Sequence, residues 1–270
     1  GFYNHPISFD EGGRKMKKIL LLFCIIGCSF PLFGQTAREV MEKVDARNDA
    51  VSSRSIVTLD LIEKTGRTES MVIERISYEA EGTVYSIILF SSPAGVKDTR
   101  FLSIEYADKG DDKWIYLPAL RKSRRIASSE SGSSFMGTDF SYDDMGKRDP
   151  DAYDYRMIST DETYAVYSCW VIEATPKEGT ASHYSKIVFW IDKESFLAVK
   201  IDFYDPSGVL LKTSAAERIA QVQGYWTIIQ NRMTTHQTGH QTLLAIKKLV
   251  FDLEIDPRIF TKNFLDTGRL

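Results

Sequence analysis

Two hydrophobic patterns follow one another along the chain after residue 35. Residues 36–48 carry apolar side chains at helical spacing, namely Val40, Met41 and Val44. This pattern predicts one amphipathic helix with Thr36 as its N-cap. From Ser53 onward, short runs of β-branched and aromatic residues alternate with turn residues, which predicts an antiparallel meander.

The meander contains about eleven predicted strands, counted from turn spacing. They are Ser55–Lys64, Glu69–Tyr78, Thr83–Phe90, Arg100–Ala107, Lys113–Leu117, Tyr164–Ala174, Tyr184–Asp192, Phe196–Tyr204, Val209–Ile219, Tyr225–Thr238 and Gln241–Glu254. The stretch between Pro118 and Tyr155 interrupts them with serine, glycine and charged residues. Loops of this length inside a compact domain are functional or mobile, so this stretch is the first place to look for function.

Two predicted strands are apolar on both faces. In residues 83–90 and 187–191 both alternating sets of side chains are hydrophobic. Each face of the sheet then needs an apolar neighbour at these strands. Either a helix and a loop cover the second face as ordinary core, or an apolar cavity that accepts acyl chains lies between sheet and helix.

The N-terminal region has the pattern of an export signal. Lys17 and Lys18 precede the apolar run 19–26, which is too short to anchor the chain in a bilayer. We interpret residues 1–15 as a start-site artefact, residues 16–34 as a signal peptide and residues 35–270 as the mature domain of a periplasmic protein. Cys28 ends a small-residue motif of the lipoprotein type, so lipidation of Cys28 and membrane anchoring are the alternative to cleavage after Gly34.

Composition and motifs exclude several classes of function. With 34 basic and 37 acidic residues, the chain lacks the positive charge of a nucleic-acid binder. No nucleophile elbow, phosphate-binding loop or zinc motif occurs in the sequence. We therefore predict no catalytic residues, no metal and no cofactor. Cys169 lies in a strand-like run and is predicted to be a small buried hydrophobe.

Three polar groups have competing interpretations. The acidic residues of the long loop are either solvated charge, which we favour, or ligands for a hard cation; they are Asp139, Asp143, Asp144, Asp149 and Asp151. His236 and His240 are interpreted as surface residues of a hairpin. The basic run 121–125 is either a solvated strand edge, which we favour, or a contact for anionic headgroups.

The central region resembles a known family. The segments that carry the resemblance are Trp114–Leu120 (WIYLPAL), Arg124–Ile126 (RRI) and Ser134–Asp144 (SFMGTDFSYDD). They are similar to the outer membrane lipoprotein-sorting family, a LolA-like group, and the likeness extends from the N-terminal helix to residues 260–262. The resemblance implies a mainly β fold with some α. It would be an incomplete antiparallel β-barrel of about eleven strands with an N-terminal helix and a lid loop over an apolar cavity.

The resemblance also implies a site. The residues expected to form the acyl cavity and its lid are Trp114, Tyr116, Phe135, Met136, Gly137, Phe140, Tyr142, Ile87 and Leu89. Arg124 and Arg125 are expected to meet headgroups or partner carboxylates. The alternative is that the residues of the long loop only fasten it to the sheet.

The leading hypothesis is a non-catalytic periplasmic carrier. It would bind acyl chains of lipoproteins or lipids and move them toward the outer membrane, from an inner-membrane exporter to an outer-membrane acceptor. The motif resembles the branch linked to RND-type exporters. Two alternatives are an envelope-stress sensor of lipoproteins similar to RseB, and an enzyme that acts on envelope lipid through Asp139 and Asp144.

Overall fold

A computed structural model describes residues 35–47, 50–107 and 109–270. Residues 35–270 form one compact unit. The predicted start-site artefact, the predicted signal peptide and Cys28 lie outside the described residues. Among the described helices, none has the length and hydropathy needed to cross a bilayer.

The predicted N-terminal helix is present as α1, Ala37–Asp45. Thr36 and Glu39 form a capping box, in which each side chain accepts a hydrogen bond from the backbone of the other residue. Val40 and Met41 are buried, so the apolar stripe of the helix faces the sheet. A second short helix, α2, spans Lys262–Thr267 near the C-terminus.

In the described residues, thirteen strands form one antiparallel sheet. They are β1 Ser52–Ile62, β2 Thr68–Ala80, β3 Thr83–Ser92, β4 Arg100–Glu105, β5 Asp112–Leu117, β6 Lys122–Arg125, β7 Tyr153–Tyr164, β8 Tyr167–Pro176, β9 Lys186–Asp192, β10 Ala198–Tyr204, β11 Leu210–Val222, β12 Tyr225–Thr235 and β13 Gln241–Phe251. Strands that follow one another in sequence pair, except β6 and β7, and β1 pairs with β13. The two halves of the chain therefore meet in the middle of the sheet, and β6 and β7 are its edges.

The sheet is open, which confirms the predicted incomplete barrel with an N-terminal helix. The strands that the sequence did not reveal are β6 and β7, both at the edges. Strand β6 has the sequence KSRR, which contains no apolar residue. In much of β7, half-buried residues alternate with exposed ones, so no residue of this strand is fully buried. An edge strand has one open side, so its sequence carries a weaker hydrophobic signal than a central strand.

Residues 126–152 join the two edges of the sheet and are called the crossing segment here. Together with α1 it packs on one face of the sheet, which we call the inner face. The inner core contains Ile88, Phe101 and Phe135 in one part and α1 with Phe189 in the other. The opposite, outer face is covered by the C-terminal residues Phe260 and Leu265.

The prediction that residues 83–90 need apolar cover on both sides is confirmed. Adjacent residues of a strand point to opposite faces. Ile88 is buried in the inner core, and Ile87 is buried on the outer face beneath the C-terminal region. The cover on the outer face is thus the C-terminal segment.

Candidate functional site

The crossing segment turns back on itself inside the inner face. Ser134 bridges Ser141, and the backbone N–H of Phe135 donates to the Phe140 carbonyl at 2.7 Å. Gly137 has φ +83°, a conformation that costs other residues a steric penalty, and it allows the chain to reverse there. Residues 134–141 are called the plug turn.

Phe135 is the most deeply buried residue of the plug turn. It has no exposed surface, and its ring lies 5.8 Å from Phe90, 5.2 Å from Phe101 and 5.6 Å from Tyr142 between centroids. These separations are typical of interacting aromatic pairs. This part of the inner face is therefore filled by the protein's own side chains.

Asp139 attaches the plug turn to β12 and β13. Its carboxylate is almost fully buried and accepts hydrogen bonds from Thr235 Oγ1 at 2.5 Å and Thr242 Oγ1 at 2.7 Å. His240 Nδ1 lies 2.7 Å from the same carboxylate. The expectation of a solvated acidic side chain at Asp139 is therefore wrong, and His240, which was predicted to be a surface residue of this hairpin, contacts the buried carboxylate as well.

Asp144 makes a second buried attachment, to β11. Lys212 Nζ lies 2.5 Å and Arg148 Nη2 3.0 Å from its carboxylate, and the Tyr184 hydroxyl donates to it at 3.1 Å. Burial alone would raise the pKa of Asp144, but the positive charges of Lys212 and Arg148 outweigh it and hold this pKa below its ordinary value. Asp144 is thus a paired structural anion, which corrects the prediction of solvated loop charge.

An apolar pocket of about 280 Å³ lies beneath α1, and we call it the helix pocket. Its apolar lining comes from α1, β7, β8, β9 and β10: Met41, Val44, Tyr153, Tyr155, Ala174, Phe189, Ala198 and Ile201. Burial raises the pKa of Tyr155 to about 12, which reflects this apolar surrounding. The rim is charged and carries Asp45, Arg47, Lys147 and Arg148.

Helix α1 covers the helix pocket and is held partly by exposed ion pairs. Arg38 pairs with Asp151 of the crossing segment, and Lys147 Nζ lies 2.9 Å from Asp45. Exposed ion pairs contribute roughly 0–1 kcal/mol each, so the buried side chain of Val40 contributes more to holding the helix. Outward movement of α1 therefore has to expose Ala37, Val40 and Met41, which are buried in the inner core.

A second cavity adjoins the helix pocket, and we call it the polar chamber. Its volume is about 450 Å³, it lies along β1, β2, β12 and β13, and its lining combines polar residues with apolar ones such as Trp226, Ile228 and Ile246. Arg47 and Lys147 line both cavities, so both spaces border these two side chains. Volumes of roughly 300–1,000 Å³ are typical of small-ligand sites.

The nine residues that the family resemblance assigns to the cavity and lid do not share one surface. Phe135, Met136, Phe140, Tyr142 and Gly137 belong to the crossing segment on the inner face. Four others pack on the outer face with Phe260: Ile87, Leu89, Trp114 and Tyr116. Within the described part of the chain, none of the nine lines the helix pocket or the polar chamber.

The two predicted headgroup contacts lie on the edge strand β6. Arg124 Nη1 lies 2.8 Å from Glu130, and Arg125 Nη2 lies 2.5 Å from Asp112. Both arginines are exposed, as expected of a charged strand edge. Cys169 is buried as predicted, and burial raises the pKa of its thiol to about 11.

Sequence reasoning missed the residues that line the helix pocket. The apolar stripe of α1 was predicted from Val40, Met41 and Val44, but this spacing does not indicate that a cavity remains between the helix and the sheet. The alternation of Tyr153, Tyr155 and Met157 was the available signal, since it places three large apolar groups on one face of β7.

Comparisons with known proteins agree with this architecture. A family model described as an uncharacterized protein matches residues 82–267. An outer membrane lipoprotein-sorting protein domain from Vibrio parahaemolyticus is 30% identical, with a TM-score of 0.80 over 85% of this chain and 98% of that one. A DUF1329 family protein from Desulfovibrio piger is 28% identical, with a TM-score of 0.81 over 85% and 97% of the two chains.

A more distant likeness concerns the fold alone. A LolA superfamily protein from Nitrosomonas europaea is 22% identical, with a TM-score of 0.68 over 86% of this chain and 100% of that chain. A search of curated proteins found no match to the sequence.

Proposed function

Since this chain belongs to the LolA-like outer membrane lipoprotein-sorting family, we propose that it is a periplasmic carrier for the acyl chains of lipoproteins or lipids. It binds these chains and moves them toward the outer membrane without a catalytic step. The observation that supports this proposal best is the helix pocket, an apolar space beside a sheet and beneath a helix with exposed ion pairs.

The hydrophobic effect supplies the binding energy. Each buried methylene contributes about 0.8 kcal/mol, so even a partly inserted acyl chain gains several kcal/mol. The volume of about 280 Å³ is at the small end for ligand sites. A full acyl chain therefore requires α1 to move outward or the chain to extend into the polar chamber.

The buried carboxylates support a carrier over an enzyme that acts on envelope lipid. Asp139 bonds to Thr235, His240 and Thr242, and Asp144 is neutralised by a buried lysine. A carboxylate that is already held by such hydrogen bonds and ion pairs is a poor general base. The cargo would come from an inner-membrane exporter, of RND type by the motif, and pass to an outer-membrane acceptor.

Filling the helix pocket is expected to weaken lipid binding. In the Ala198→Phe variant a ring enters the pocket, and we expect the affinity for a fluorescent diacylglycerol and for a fluorescent phosphatidylglycerol to fall about tenfold or more. Fluorescence titration of the purified protein measures both affinities, and urea unfolding reports stability.

Ala94→Phe is the matched control, because Ala94 is exposed in a turn far from the pocket lining. We expect it to bind both lipids like the unmodified protein. If neither lipid binds to the unmodified protein, the carrier proposal is wrong. Undiminished binding by a folded Ala198→Phe variant would remove the helix pocket as the site.

A further inference from the structure

One row of polar residues crosses five strands of the inner face. In the antiparallel register Ser53 pairs with Ser77, Ser77 with Ser86, Ser86 with Ser103, and Ser103 with Lys113. Directly paired residues lie on the same side of a sheet. In the neighbouring row Arg75 pairs with Ile88 and Ile88 with Phe101, and the two apolar residues belong to the inner core. The inner face therefore changes from apolar to polar within one residue pair.

Arg75 lies on the same face, beside this row. It pairs with Ser55, and its Nε donates to Ser86 Oγ at 3.3 Å. In the described part of the chain no carboxylate is within ion-pairing distance of its guanidinium; Glu105 acts on it only through longer-range attraction. Glu105 itself accepts hydrogen bonds from Ser103 Oγ at 3.2 Å and from the backbone N–H of Lys147 at 2.8 Å.

Arg75 lines the polar chamber. Burial of this group lowers the pKa of Arg75, although arginine stays charged in proteins. Removal of a charge from water is unfavourable unless a counter-charge or hydrogen-bond partners replace the solvent. Arg75 has five N–H donors in a planar fork, and the structure shows one of them engaged with a protein side chain.

The part of the chamber around Arg75 favours an anion, whereas Leu197, Trp226, Ile228 and Ile246 make other parts of its lining apolar. Arg75 contributes positive charge to this lining, Lys147 does so while it is paired with Asp45 at 2.9 Å, and Glu79 is exposed at the border. Ser53 and Ser77 supply small hydroxyl groups that leave space for a ligand. Since Arg47 and Lys147 line both cavities, a ligand that passes these side chains would place a charged end in the chamber and an apolar end in the helix pocket.

We propose that the polar chamber binds the phosphate of an anionic glycerophospholipid, with Arg75 as its central ligand, while an acyl chain of the same lipid occupies the helix pocket. This inference rests on the carrier function proposed above and names its cargo. A triacylated cysteine, the lipid end of a lipoprotein, has no phosphate for Arg75. The structure therefore favours a phospholipid over a lipoprotein as cargo.

The test compares three probes on the purified full chain. Phosphatidylglycerol and diacylglycerol with the same labelled acyl chains differ only in the anionic headgroup, and inorganic phosphate serves as an unlabelled competitor. We expect phosphatidylglycerol to bind about tenfold or more tightly than diacylglycerol, as a charge-assisted contact predicts. Millimolar phosphate should compete only weakly with the labelled lipid, since phosphate lacks the acyl chain. If phosphate competes as strongly as unlabelled phosphatidylglycerol does, the chamber is a site for free phosphate and the proposal is overturned.

Arg75→Gln is expected to remove the headgroup preference. Affinity for phosphatidylglycerol should fall about tenfold, to that for diacylglycerol, while diacylglycerol binding stays unchanged. Arg75→Lys should keep part of the preference. Arg67→Gln is the matched control, because Arg67 lies in the exposed turn between β1 and β2 and pairs with Glu69.

The outcomes separate the two proposals. Binding of neither lipid contradicts the carrier function itself. Equal binding of both lipids by the unmodified protein contradicts the headgroup site alone, and this comparison needs no variant to fold. An Arg75→Gln variant that is folded and keeps the full preference also contradicts it.

Discussion

Replacement of Phe135 by alanine is expected to lower the free energy of unfolding by about 3–5 kcal/mol. Phe135 is fully buried and contacts the rings of Phe90, Phe101 and Tyr142. The variant loses the transfer free energy of the ring and leaves a cavity that the rigid strands around it cannot close. Urea unfolding followed by circular dichroism measures the difference.

Two further variants make this result interpretable. Phe135→Leu keeps part of the volume and should lose clearly less stability. Val166→Ala removes methyl groups from a side chain that is 86% exposed and should change stability by less than about 0.5 kcal/mol. If Phe135→Ala unfolds like Val166→Ala, the plug turn does not contribute to the folded core.

The same variant separates the two interpretations of the long loop. If the loop is only fastened to the sheet, Phe135→Ala lowers stability and leaves the affinity for lipid unchanged. If the plug turn acts as a lid, the truncated ring also alters lipid affinity, because the crossing segment continues from Phe135 to Lys147 and Arg148 at the rim of the helix pocket. Lipid titration under conditions where the variant is folded distinguishes these outcomes.

The architecture could be predicted because it depends on local pattern. The spacing of Val40, Met41 and Val44 indicated α1, and alternation with turn residues indicated the central strands. The same alternation shows that Trp114 and Ile115 point to opposite faces, but not which of them faces the inside. The resemblance placed Trp114 at the cavity, whereas Ile115 is the inner residue and Trp114 lies against the C-terminal region.

The polar part of the inner face could not be predicted, because its partners are remote in sequence. Asp144 and Lys212 are separated by 68 positions, and Asp139 and Thr242 by 103. An acidic run in a serine-rich loop looks solvated until the topology places a lysine opposite it. The position of Arg75 at a cavity could not be predicted either, since an arginine in a strand is ordinarily an exposed residue.

Replacement of Lys212 by methionine is expected to cost about 3 kcal/mol of stability at neutral pH. Lys212 and Asp144 have side chains that are 6% and 3% exposed, and removal of one partner of a buried pair costs about 3–5 kcal/mol. The lower end applies here because Arg148 still contacts the carboxylate at 3.0 Å. Methionine retains most of the apolar stem of lysine, so loss of packing contributes little.

A double-mutant cycle shows that the cost comes from the pair. In Asp144→Asn combined with Lys212→Met the buried charge is absent, so the loss should be smaller than the sum of the two single losses. Lys193→Met is the control, because Lys193 pairs with the exposed Asp161. This variant should lose at most about 1 kcal/mol of the free energy of unfolding. Additive losses in the cycle would contradict the proposed coupling.

The pH dependence of this loss follows from the direction of the pKa shift. In the unmodified protein the pKa of Asp144 in the folded state lies below its unfolded value of about 3.9. The contribution of Asp144 to stability is therefore fully present above about pH 3.9. It is lost as the pH falls through the pKa of the folded state. Without Lys212, burial raises the folded pKa of Asp144, and protonation then relieves the unpaired charge. The stability difference between the two proteins should therefore be largest near neutral pH and shrink toward pH 4; a constant difference would show that Asp144 is not the group left unpaired.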